Sequence, residues 1–208
     1  MRFVEIQVSH RRSAIRSVLS ALPAALAAAV VTWPAAAADP AGPGRLVTAY
    51  PAALSRIEGN ELLWSDGTRM PIDDGRGAKS FDDRLAAPDI KDMFEQPYPV
   101  GDVGSPPAVD SDPGRARNQA FFDKLYGDCR KGDVVQHLVD VVWLPRKSGQ
   151  RLQITRVAGV AERLEAVSRA LDELPARFDR YLLPSAGTYN CRPIAGTTRI
   201  SAHGHGIA

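Results

Sequence analysis

The 208-residue chain is 44% hydrophobic and 24% charged, a composition that suits one globular domain with a real core. Its 26 basic and 24 acidic side chains leave a net charge of only +2. That balance offers no concentrated basic face, so nucleic acid is not expected as a partner.

Residues 1–38 read as a signal peptide. Arg2, Arg11, Arg12 and Arg16 make a basic start, Val18 to Trp33 is an apolar run, and Ala36-Ala37-Ala38 supplies small residues for cleavage. Pro23 interrupts the run, which suits a secretion signal better than a membrane span; a retained N-terminal anchor is the alternative. A periplasmic or secreted protein is therefore expected, touching a membrane only through this segment. Its removal takes away four arginines and Glu5, leaving 170 residues with a formal charge of −1. Cys129 and Cys191 remain, 62 positions apart, as a candidate disulfide, with two buried thiols as the alternative.

Residues 39–112 form a Pro/Gly-rich N-terminal region with a hairpin. Leu62, Leu63 and Trp64 precede Asp66-Gly67, and Met70 and Ile72 follow, the pattern of two strands about a turn that tolerates positive φ. Asp73 to Asp112 reads as an ordered covering loop or a flexible insert. From Pro113 a compact domain is expected to begin. Arg115 to Tyr126 predicts a helix with Phe121, Phe122 and Leu125 on one side. Val139 to Leu144 and Arg151 to Thr155 predict an antiparallel pair about a Ser148-Gly149 turn. Val160, Leu164, Val167, Leu171 and Leu174 then mark a helix whose apolar stripe should face the core, stopped by Pro175. The class is α+β, a small antiparallel sheet with flanking helices.

Four histidines are candidates for chemistry. His10 falls in the signal, and His137 lies in an apolar stretch that favours a core role. His203 and His205 sit among Ser201, Gly204 and Gly206, after a turn or short strand. In a strand, residues two apart share a face, so both imidazoles would look into one cavity. Neutral imidazole is a common zinc ligand. A solvated tail with incidental histidines is the bland alternative.

The segment resembles the zinc peptidases that cut peptidoglycan peptides, the D-alanyl-D-alanine carboxypeptidase and L-alanyl-D-glutamate endopeptidase family, whose fold relatives include lysostaphin-type and hedgehog domains. Their first metal motif reads Ser-x-His-x-x-Gly-x-Ala-x-Asp, and the chain matches it at Ser201, His203, Gly206 and Ala208. "TYNCRPIAGT" looks like the family's stretch that carries its substrate-binding arginine, here Arg192. "DPGRARNQAFFDKLYG" and "VVWLP" look like a subgroup of the same family, so the resemblance covers about residues 85 to 208.

The resemblance implies a Zn2+ cofactor held first by His203, with Ser201 as a neighbouring hydrogen-bonding and substrate-binding residue. Arg192 would hold and polarise a peptidoglycan stem peptide as a catalytic, substrate-binding group. His205 falls at a non-ligand position. Arg199 competes with Arg192 for the substrate role; the flanking "YNCRPI" favours Arg192. The family's aspartate, second histidine and general-base glutamate lie beyond residue 208. Residues 113–208 are therefore expected to be a C-terminally truncated zinc peptidase domain of hedgehog/D-Ala-D-Ala peptidase-like fold. As such it would be inactive by itself and would hold zinc weakly. A non-catalytic wall-binding or interaction module of the same fold is the other expectation.

Overall fold

Asp66-Gly67 turns the chain as its residue types require, with Gly67 at φ +82°, and the strands on either side of it belong to a three-stranded antiparallel meander. The computed structural model describes residues 42–96, 104–109, 111 and 114–208; the signal-peptide reading and His10 lie outside them. A short helix α1 (Gly44–Ala49) leads into β1 (Leu54–Glu58), β2 (Glu61–Trp64) and β3 (Arg69–Pro71), in the order β1-β2-β3. Strand β1 was not expected from the sequence. It pairs with β2 through the two-residue loop Gly59-Asn60, where Gly59 supplies φ +59° at the first loop position. One face of this sheet joins the largest apolar cluster, in which Leu54, Leu62 and Trp64 meet Phe121, Leu125 and Tyr126.

The described part of the Asp73 to Asp112 segment carries structure of its own. Helix α2 (Phe81–Ala86) is capped by Ser80, whose hydroxyl accepts the Asp83 N–H, and a 3-10 turn spans Lys91–Phe94. Lys79 anchors the segment. Its side chain is 3% exposed, and its ammonium lies 2.9 Å from Asp74, 2.9 Å from Asp89 and 2.6 Å from Asp92. A cation taken out of water to this degree requires such partners.

Helix α3 (Gln119–Tyr126) begins four residues later than its composition predicts. Asn118 sets the start: its side chain accepts the Phe121 N–H at 2.9 Å and donates to the Pro88 carbonyl at 3.0 Å. Phe121, Leu125 and Tyr126 are buried on one side, while Phe122 is only half-buried.

Strands β4 (Leu138–Trp143) and β5 (Gln150–Thr155) form the expected antiparallel pair, in the register Val141↔Leu152 and Val139↔Ile154. Helix α4 (Val160–Asp172) packs across them, with Val160 and Leu164 of the predicted stripe against Val141 and Ile154. Val167 is 51% exposed, and the buried positions are Ala161, Ser168 and Asp172. Beside that stripe, two polar side chains are buried because the strand end needs them. Ser168 Oγ accepts the Leu144 N–H at 2.7 Å and donates to the Val142 carbonyl at 3.2 Å. The Asp172 carboxylate accepts the N–H groups of Arg146 at 2.9 Å and Lys147 at 3.1 Å. Burial pushes the Asp172 carboxyl up, but these amides and the Arg146 guanidinium outweigh it and hold it below its ordinary value. Together they fix Leu144, which sits at φ +46°. Helix α5 (Asp179–Leu182) follows. The architecture is α+β, with two small antiparallel sheets and flanking helices.

Candidate functional site

The last twenty residues double back on themselves, and this brings the predicted site residues together. Two limbs, 190–194 and 199–203, are joined by backbone bonds. The Asn190 N–H donates to the His203 carbonyl at 3.1 Å, the Ser201 N–H to the Arg192 carbonyl at 3.0 Å, and the Ile194 N–H to the Arg199 carbonyl at 2.8 Å. A bridge pairs Pro193 with Ile200. The first limb is held from outside as well, because Cys191 is joined to Cys129 in a disulfide with the Cα atoms 5.7 Å apart. Cys129 is itself fixed by the turn Cys129–Lys131, which Asp128 caps by accepting the Arg130 N–H at 3.0 Å. The Arg130 guanidinium beside Asp128 holds that carboxyl below its ordinary value. Cys129, Val134 and Ile200 then close an apolar cluster beneath the hairpin.

Within this hairpin Arg192 is exposed, and its guanidinium has no carboxylate partner among the described residues. It is free to meet an incoming carboxylate as a bidentate fork. Ser201 is buried, and its Oγ lies 3.2 Å from His203 Nδ1. That contact orients the half-buried His203 ring through Nδ1 and leaves Nε2 outside it.

His205 does not share a cavity with His203. The segment Ala202–His205 is a 3-10 turn rather than a strand, so residues two apart point in different directions. His205 is 2% exposed and packs beside Phe122 and Tyr126, with ring centroids 5.7 and 6.3 Å away. Its Nδ1 lies 3.3 Å from the Gly127 carbonyl, which can only accept, so Nδ1 carries the proton. Nε2 is 3.8 Å from Asp123. Burial pushes His205 below its ordinary value against the pull of Asp123, and burial pushes Asp123 up.

The glycines of "SAHGHGIA" have steric reasons. A Cβ on Gly204 would collide with the Ile200 side chain and come within 3.1 Å of Cys129 Sγ. Gly206 sits at φ +65°, where a Cβ would lie 2.7 Å from Leu138 Cδ2. The Gly206 carbonyl also accepts the Thr155 N–H at 2.8 Å, which ties the turn to the end of β5.

Comparison with protein-family models, with curated proteins and with solved structures returns no match.

A catalytic zinc needs three protein ligands and an open position. Among the described residues the one group of three or more candidate ligands is Asp73, Asp74 and Asp89, and His203 is not in it. Those carboxylates are already neutralised, Asp74 and Asp89 by Lys79, Asp74 also by Arg76, and Asp73 by Lys91 at 2.8 Å. No group of three candidate ligands among the described residues includes His203.

Two supporting residues were not foreseen from the sequence. Gln119 accepts the Ile200 N–H at 3.0 Å and donates to Asp123 at 2.6 Å, so the start of α3 clamps the second limb. Their i, i+4 spacing on a helix was the available signal. Half-buried His137 caps no site: its carbonyl accepts the Arg156 N–H at 2.8 Å. No helix of the described residues is long and apolar enough to cross a membrane, and the disulfide fits an oxidising compartment.

Proposed function

We propose that residues 113–208 carry the substrate-binding and first-ligand part of a zinc peptidase domain that acts on peptidoglycan stem peptides in the periplasm or outside the cell. The observation that supports this reading is the disulfide-pinned hairpin, in which exposed Arg192 lies across the backbone from Ser201 and the serine-bonded His203. An arginine fork beside an oriented imidazole suits a substrate that presents carboxylates next to a metal. When bound, Zn2+ would supply an acidified water and polarise the scissile carbonyl. The chain's own part is to hold the first ligand ring through Ser201 and to seat the substrate carboxylate on Arg192. Such a site takes further ligands from outside the described residues.

The single described ligand favours a second reading for these 208 residues taken alone, a wall-binding module of the same fold. The test uses insoluble peptidoglycan, metal analysis and release of D-alanine or new amino termini. The 208-residue chain is expected to sediment with peptidoglycan through Arg192, to lose zinc on dialysis and to cleave nothing. A form extended past residue 208 is expected to retain zinc and cleave, and to lose both with His203→Ala. Sedimentation unaffected by Arg192→Ala, or stoichiometric zinc held by the 208-residue chain, would overturn the assignment of these roles.

A further inference from the structure

Arg199, set aside above in favour of Arg192, lies in a different place. It lines a cleft of about 370 Å³ together with Arg117 and the first residues of α3. Both residues are half-buried, and neither has an acidic partner among the described residues. That is an unusual state for two neighbouring arginines, since partial desolvation without a counter-charge is unfavourable and an incoming anion relieves it. The carboxylates on the wall do not fill the role. Asp74 is bound by Arg76 and Lys79, and Asp89 by Lys79, so their charge is already balanced within the protein. Arg76 is likewise engaged, with Nε on Asp74 and its other end on the Ala87 carbonyl. The uncompensated charge of the cleft is therefore Arg117 and Arg199.

Apart from the Asn118 and Gln119 amides, the remainder of the lining is small and aliphatic: Pro71, Ala86, Ala87, Pro88 and Ala120. Such a floor accepts short alkyl groups, while the arginines read charge. The amino end of α3 adds a favourable field for an anion at Gln119 and Ala120. The volume lies at the small end of the range for ligand sites, enough for a short segment of chain. We propose that this cleft is a second recognition site, binding a short acidic peptide with small aliphatic side chains, its carboxylates on Arg117 and Arg199. The site needs neither a metal nor His203 or Arg192, so it stands or falls separately from the hairpin.

The hairpin and the cleft share one loop, because Arg199 and Ile194 are bonded across it. A peptide chain long enough to reach both would be held at two points on either side of that loop.

Calorimetric titration of the protein at low salt tests the proposal, with alanyl-glutamyl-alanine and its neutral counterpart alanyl-glutaminyl-alanine amide as probes. Saturable binding of the acidic peptide is expected, at least about tenfold tighter than the amide. Arg117→Gln and Arg199→Gln are each expected to weaken it about tenfold, and Arg151→Gln, on the exposed side of β5, to leave it unchanged. The comparison of the two peptides on the unaltered protein stands even where a variant folds poorly. Equal affinity for the two peptides, or full affinity in both cleft variants, would refute the site. Inorganic phosphate binding as tightly as the peptide and displacing it would overturn the peptide assignment.

Discussion

Removing the Cys129–Cys191 disulfide should loosen the candidate site before it unfolds the molecule. The bridge spans 62 residues. In the loop-entropy description, closing a loop of that length in the unfolded chain stabilises the fold by about 4 kcal/mol. For a protein of this size that corresponds to a fall of roughly 8–16 °C in Tm. A Cys129→Ala/Cys191→Ala double variant measured by calorimetry gives the global figure. Hydrogen exchange gives the local one, because the Asn190 and Ser201 amides bond only across the limb that Cys191 anchors. These amides should exchange much faster in the variant, while those of β1, β2 and β3 follow the global change. A variant that melts within about 2 °C of the parent would refute the entropic argument. Unchanged protection at Asn190 and Ser201 would show that Gln119 and Ile200, not the disulfide, hold the hairpin.

Lys79→Met leaves Asp89 and Asp92 buried without their cation and should cost about 3–5 kcal/mol at neutral pH, measured by urea unfolding. In the parent, Asp89 is pushed up by burial but held below its ordinary value overall by Lys79 and two backbone N–H groups. Its stabilisation is therefore present above the ordinary carboxylate range and lost as pH falls toward the lower folded value. The variant should show the reverse, recovering part of its deficit in acid. Ser168→Ala orphans the buried Leu144 N–H and should cost about 1–3 kcal/mol; a neutral result would mean that water replaces the hydroxyl. Gly206→Ala places a Cβ against Leu138 at positive φ and should cost about 1–3 kcal/mol, seen as a lowered Tm. His205 has a folded pKa below its ordinary 6.5, so its contribution is complete above that value and is lost as pH drops beneath it. His205→Phe, which keeps the ring packing on Phe122 and Tyr126, should flatten the stability profile below about pH 6.5. An unchanged profile would assign the acid sensitivity to the carboxylates.

Much of the local architecture was legible because it depends on neighbours in sequence. Asp66-Gly67 between apolar runs made a hairpin, the β-branched run Val139 to Leu144 made a strand, and Cys129 and Cys191 proved to be one bridge. Strand β1 was missed because "LSRIE" has little alternation, and it becomes a strand only by pairing with β2. The apolar stripe of α4 did put Val160 and Leu164 against the sheet, but the burial of Ser168 and Asp172 was missed because hydrophobic periodicity counts side-chain polarity, whereas these two are buried to satisfy backbone groups of another element.

The candidate site divides along the same line. The residue types in "NCRPI" and "SAHGHGIA" by themselves determined where an arginine, a serine and a histidine with the right chemistry lie along the chain. Only the tertiary structure decided that Arg192 and Ser201 stand across one hairpin, that the two histidines part company, and that Arg199 turns away to a cleft beside Arg117. The physical reason is range. Side-chain chemistry and turn preference act over a few residues, but which groups meet depends on pairings 60 to 80 positions apart. Gln119 to Ile200 and Cys129 to Cys191 are two such pairings, set by packing of the whole core.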